Sequence, residues 1–179
     1  MTRGLGEEYE EKNLKPSFKS GRILVRVWFC FCGNEMGPLV IIEKGGRMTR
    51  KRYLATLQEH FIPFYKRMVE KYGPNMIMQE DNALWHTAKV VRNYMREQGI
   101  PQLQWLPQSL DLSLIENLWK QIKNMIGKMR HKIKNIGMME RALAEVWTQI
   151  KPETLDKLNK TMDKRINACI KNKGGATKY

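Results

Sequence analysis

The sequence predicts an α/β fold in which a mixed sheet carries helices on its faces. Three observations lead there. Ile23 to Phe31 is rich in Val, Ile and aromatics, and with Pro38 to Ile42 beyond a Gly33-Asn34-Glu35 turn it reads as a β-hairpin. Two further short apolar runs, Met76 to Gln79 and Gln102 to Leu106, have the length of strands. Helix-periodic stretches lie between and after these runs, and strands alternating with helices build a helix-covered sheet.

Residues 1–21 are polar and read as an extended or disordered lead-in. Lys44-Gly45-Gly46 ends the hairpin, and Thr49 is a plausible N-cap for a helix with Tyr53, Leu54, Leu57 and Phe61 on one face. Pro63 should kink or break that helix, and Gly73-Pro74 should stop its continuation. Thr87 to Gln98 is predicted helical, with Val90, Val91, Tyr94 and Met95 inward and Gly99 as its cap. From Ser113 a long helix carries Leu118, Trp119, Ile122, Met125 and Ile126. A helix over Met138 to Ile150 follows, and Pro152 starts the last, which fades by Gly174-Gly175.

At 179 residues one domain is the natural count, here residues 22–179, and it is long enough for a sizeable core. Hydrophobic residues at 42% beside 28% charged predict a soluble globular chain. No apolar run approaches a membrane span, and Met1-Thr2-Arg3-Gly4 leads into acidic residues, so neither a membrane protein nor a secreted one is expected. Cys30, Cys32 and Cys169 show no zinc spacing; Cys30 and Cys32 share one strand face and read as core thiols in a reducing compartment. The net charge of +14 is uneven: from Glu116 onward 15 Lys and Arg stand against 6 Asp and Glu, before it 17 against 12. A polyanion such as DNA suits that balance, and a plain solvated basic surface is the alternative.

Asp81 and Glu116 carry the candidate chemistry. The first sits where a strand gives way to a turn, the second at the start of an amphipathic helix. Two carboxylates converging on one point suit Mg2+, which takes oxygen ligands and leaves room for phosphates. Each also has a purely structural reading. Ser113-Leu114-Ile115-Glu116 has the form of a capping box, and Asp81-Asn82 could be turn chemistry alone.

Asp81-Asn82 followed by His86-Thr87-Ala88-Lys89, then Gln108-Ser109, Asp111-Leu112 and Ile115-Glu116-Asn117-Leu118-Trp119, resembles the catalytic domain of Tc/mariner transposases. Val27-Trp28, Cys30-Phe31 and Gly37-Pro38-Leu39 are similar to that family's strand region, and the likeness runs from about Gly6 to the C-terminus. The resemblance implies an RNase H-like fold, DNA cleavage and joining by an Asp, Asp, Glu triad, and Mg2+ or Mn2+ as cofactor. Thirty-four residues lie between Asp81 and Glu116, the common family gap, so these two would be catalytic residues and metal ligands. Asn82, His86 and Asn117 would support them; His86 could order the metal loop or a phosphate, or be structural. Lys120, Lys123, Lys128, Arg130, Lys132 and Lys134 form a basic stripe beyond Glu116 and are the expected DNA contacts. The expected partners are DNA and, as a further option, full-length transposase or a second copy, in the nucleus or cytoplasm and not at a membrane.

Departures from the family shape the functional expectation. The family's first catalytic Asp lies on the first, central strand, ahead of the segment matching Gly6-Glu7-Glu8-Tyr9, and no Asp precedes Asp81 here. The expectation is an N-terminally truncated, catalytically inactive domain without its central strand, whose hairpin either pairs poorly with Met76–Gln79 or leaves unpaired backbone edges. The family's paired helix-turn-helix domains are likewise expected to be absent. Leu84, Leu106, Leu110 and Leu114 stand where related transposases usually have Pro, and Phe29 where a strand Gly is usual, as in a decaying element copy. The alternative is a non-catalytic nucleic-acid-binding or transposase-interaction module. A third, weaker option is a structural protein that keeps only the fold.

Overall fold

Two strands, β1 (Arg26–Cys32) and β2 (Glu35–Ile42), form an antiparallel hairpin around Gly33-Asn34 in this computed structural model, which describes residues 23–42, 47–106, 109–175 and 177–178. The expected lead-in over residues 1–21, the Lys44-Gly45-Gly46 end of the hairpin and Gln108 lie outside the described residues. Gly33 has φ of +55°, which a tight turn takes most easily from glycine. Phe29 pairs with Leu39, then the register slips so that Phe31 pairs with Met36. Cys30 and Gly37-Pro38 meet at that slip. Pro38 has no N–H for the ladder, and a bulge is where a sheet tolerates this. Gly37 answers a different need, since a Cβ there would lie 2.5 Å from Cys30 Sγ and 2.8 Å from Cys30 O.

The alternation of β1 divides the interior. Trp28 and Cys30 pack on a cluster of Tyr53, Leu57, Phe61, Ile62, Val91, Met95 and Ile100. Val25, Val27, Phe29 and Phe31 pack on the opposite side against Leu118, Ile122, Leu143, Val146, Leu155 and Leu158. Phe29 lies 5.0 Å from the Trp147 ring and 5.6 Å from that of Trp119. Burial, and secondarily Cys32, pushes the Cys30 thiol up to about 12, which keeps it protonated as a core thiol.

The first cluster belongs to α1 (Arg50–Thr56), α2 (Ile62–Tyr72) and α3 (Lys89–Glu97). Thr49 caps α1 as expected, its hydroxyl accepting from the Arg52 amide at 3.2 Å. Where Pro63 was expected to kink or break the helix, the chain widens into a π turn over Leu57–Phe61, with the Ile62 amide reaching Leu57 O, and a second helical piece, α2, then runs to Tyr72. Proline cannot donate to the preceding turn and crowds its carbonyl, and a shifted ladder accommodates both. In α3, Val91 and Met95 form the buried face, while Val90, expected inward, lies beside that face and is exposed. Gly99 follows with φ of +66°.

The second cluster belongs to α4 (Leu114–Met129), α5 (Ile136–Gln149) and α6 (Pro152–Asn159), followed by α7 (Met162–Lys171). Asn135 caps α5, so that helix starts two residues ahead of the sequence expectation. The single last helix expected from Pro152 is split at Lys160-Thr161, where the Thr161 hydroxyl donates to Leu158 O at 2.6 Å.

Met76–Gln79 and Gln102–Leu106 were expected as sheet strands, and here the structure corrects the sequence. One parallel bridge joins Met78 to Gln102, made by Met78 N–H to Pro101 O and Leu103 N–H to Met78 O, both at 2.8 Å. Among the described residues no strand lies between this bridge and the hairpin, and the two do not pair. Gly37→Ala should lower the unfolding free energy by about 1–3 kcal/mol, the usual cost of overpacking. An unchanged urea midpoint would show that Cys30 can move aside.

Candidate active site

The parallel bridge sends two chain segments out at one edge. Asp81 follows one of them, and the Asn82 side chain ties it to the other by donating to Trp105 O at 2.8 Å. Asp81 is exposed and closes a local turn, its Oδ1 accepting from the Ala83 amide at 3.0 Å. The turn-chemistry reading of Asp81-Asn82 is therefore realised. It engages one oxygen only: His86 Nδ1 approaches the same Oδ1 at 2.7 Å and lies 2.9 Å from Asp81 O. Among the described residues nothing bonds Oδ2.

His86 is held from its other side. Trp85 Nε1 donates to His86 Nε2 at 2.9 Å. An indole N–H can only donate, so Nε2 accepts and the ring proton sits on Nδ1, aimed at Asp81. The Tyr53 ring packs against the imidazole with centroids 4.7 Å apart.

Glu80 was not singled out from sequence, although the alternation of an extended segment turns it opposite to Asp81. Its carboxylate is mostly buried, accepting from the Tyr53 hydroxyl and from Gln102 Nε2, the latter at 3.0 Å. Burial raises the Glu80 carboxyl above its ordinary range, and the contacts with His86, Tyr53 and Gln102 oppose part of the rise. Burial and the Glu80 charge likewise raise the Tyr53 phenol. Glu80 thus fastens the Asp81 segment to the first core and is committed to that task.

Glu116 lies exposed in the first turn of α4. The capping-box alternative is not adopted. Ser113 makes no side-chain cap bond, and its amide donates to Leu110 O at 3.0 Å rather than to Glu116. Lys120 and Lys123 stand four and seven positions on, so they share the helix face of Glu116, away from buried Leu118 and Ile122. Lys123 Nζ lies 5.5 Å over the Trp119 ring. Lys128, Arg130, Lys132 and Lys134 are exposed where α4 runs into the turn Arg130–Lys132 and beyond. Asn117 is half-buried beside Glu116. No set of three or more His, Cys, Asp or Glu side chains among the described residues is grouped to hold a metal ion.

The family described as DDE superfamily endonuclease matches residues 16–140, a span that includes both acids. The chain belongs to that family. It is 32% identical to the Tc1 transposase of Caenorhabditis elegans and 31% identical to the Tcb1 transposase of Caenorhabditis briggsae, over its whole length in each case. It spans 63% of the length of each of these relatives. Among solved structures, the Mos1 transposase catalytic domain with Raltegravir and Mg superposes with a TM-score of 0.74 at 18% identity, covering 86% of this chain and 77% of that one. The pre-cleavage Mos1 transpososome gives 0.69 at 18% identity, over 85% and 44%. The α/β fold of this DDE domain is thus that of the Mos1 catalytic domain. No helix of the described residues is long and apolar enough to cross a membrane.

Two tests bear on the Asp81 segment. A raised Glu80 carboxyl means the folded state holds its proton more tightly than the unfolded state. Its contribution to stability is full below the unfolded value of 4.5 and is lost as pH rises through the folded value. Glu80→Gln should remove that decline, so the melting temperature of the variant should gain on wild type from pH 4.5 to 7. The second test is spectroscopic. 15N NMR should show His86 protonated at Nδ1, and Trp85→Phe should move it toward the other tautomer; a wild-type Nε2–H signature would contradict the hydrogen-bond assignment.

Proposed function

We propose that these residues are the DDE catalytic-domain part of a Tc1/mariner-like transposase, RNase H-like in fold, with Asp81 and Glu116 as two carboxylates of its metal site. The observation that carries the reading is that one family match spans both acids while each keeps oxygen atoms for a cation. The donors fit Mg2+ or Mn2+, because these are hard cations served by carboxylate oxygens. The parallel bridge supports convergence, since it directs the Asp81 segment and the chain leading to Glu116 toward the same edge. The Mos1 structures with Mg and Mn support a divalent ion, and the transpososome supports DNA and self-association.

When bound, divalent ions favour attack by water or a DNA 3′-hydroxyl and stabilise the leaving oxygen. The chain's own residues do the rest. His86 donates to Asp81 and fixes its rotamer, and the Asn82 bond to Trp105 O holds the loop. Lys120 and Lys123 place positive charge on the Glu116 face, where a phosphate backbone is drawn in. DNA as partner makes the nucleus the place of action.

Of the three carboxylates this reading calls for, Asp81 and Glu116 supply two. Two carboxylates hold an ion weakly and do not position a pair, and phosphoryl transfer depends on positioning and charge. With these two carboxylates alone, DNA binding without cutting is the expected behaviour. Incubation with transposon-end DNA and Mg2+ or Mn2+ should yield no strand cleavage or joining. Metal-dependent nicking that disappears in Asp81→Ala would overturn that and restore full catalysis. Replacing Lys120, Lys123 and Lys128 together by Ala should reduce the slope of log affinity against log salt by about 2–3, since each neutralised phosphate adds roughly 0.9 to it. An unchanged slope would remove α4 from the DNA interface.

A further inference from the structure

The turn that delivers Glu116 is closed by backbone hydrogen bonds, Leu112 N–H to Ser109 O at 3.2 Å and Ser113 N–H to Leu110 O at 3.0 Å. Leu110–Leu112 form a three-residue 3₁₀ turn with no buried residue, and Leu110 is 63% exposed. Ser113, at the start of α4, supplies no side-chain cap. Burial of Leu114, Leu118 and Ile122 seats α4, but no buried side chain of Leu110–Leu112 fixes where the turn ahead of it lies.

A side chain from the far end of the sequence does. Arg165, in α7, is only 2% exposed, although it carries a charge that normally stays in water. Its Nε donates to Thr161 Oγ1 at 2.9 Å and its Nη1 to Asp111 O at 2.6 Å. The Thr161 hydroxyl is fixed in turn by Leu158 O. A second tie comes from beyond α7, where the Thr177 amide donates to Asp111 Oδ2 at 3.2 Å. Asp111 is thus gripped at its carbonyl and its carboxylate by the C-terminal segment.

We propose that Arg165 is a positioning residue for Glu116, acting through the Leu110–Leu112 turn, so that the C-terminal helix sets where that carboxylate points. The inference rests on the reading of Glu116 as a metal ligand. The guanidinium suits the role because its rigid planar fork serves the Asp111 carbonyl and the Thr161 hydroxyl at once.

The test uses the full chain with Arg165→Met and Arg165→Lys, read by amide exchange and by Mn2+ binding from water-proton relaxation. In Arg165→Met the amides of Leu112, Ser113 and Glu116, all bonded within this turn, should exchange faster while hairpin amides keep their protection. Mn2+ affinity should fall by about tenfold, the lower end of what removing an outer supporting group costs a metal site. Arg165→Lys should recover part of both changes. Faster exchange with unchanged Mn2+ affinity would overturn the positioning role and leave a structural clamp; no change in either would overturn both. Glu116→Ala separates the two levels. If Mn2+ binding survives it, the metal-ligand reading fails and the positioning role fails with it, whereas the exchange data still report the clamp. Should Arg165→Met not fold, Thr177→Pro removes the amide donor to Asp111 while leaving Arg165 in place, and it must show the same pattern at smaller amplitude or the proposal is lost.

Discussion

Everything in this fold depends on the two-residue alternation of β1. Trp28 and Cys30 close one hydrophobic cluster, and Val27, Phe29 and Phe31 close the other, so one strand is the wall of two rooms. Helices on both sides grip the hairpin as well as pack on it. Tyr72 donates to Asn34 Oδ1 at 2.7 Å and Lys71 pairs with Glu35 from the first side. Asn159 donates to Gly33 O at 2.7 Å and Trp147 to Gly37 O at 3.2 Å from the second. A shift of register by one residue would exchange the two faces and open both clusters.

The two candidate acids belong to different rooms. Asp81 is tied through Glu80 to Tyr53, a member of the first cluster, and Glu116 is carried by the helix that sends Leu118 and Ile122 into the second. Their relative placement is therefore a property of the whole stack of helices, hairpin and helices. A site built this way is sensitive to repacking far from either carboxylate, because close-packed interiors transmit strain.

Much of this was legible from the residues. The hairpin, the Thr49 cap, Gly99 and the inward faces of α1 and α4 follow from local rules about turns, caps and periodicity, and the order of motif blocks from Asp81 to Trp119 led directly to the family. The π turn ahead of Pro63 was not legible, since proline signals a defect in a helix without saying how the ladder will absorb it. The strand expectation at Met76–Gln79 and Gln102–Leu106 went too far because apolar runs report burial, while a strand also needs partners along its length. At the site, Asp81 and His86 lie five residues apart and their contact was within reach of sequence. Glu80 with Gln102 and Arg165 with Asp111 were not, because those pairs are joined only when separate segments pack.

The grip on the hairpin has a consequence during synthesis. Gly33 and Gly37 are held by Asn159 and Trp147, residues more than a hundred positions later. The first room can close once the chain has passed Ile100, but the second cannot close until α6 has left the ribosome. Through that interval Phe29 and Phe31 lie on a finished hairpin under an incomplete second cluster, without Leu155 and Leu158. A nascent chain in this state is open to capture by chaperones or by other nascent copies, and release of α6 is the event that ends its exposure.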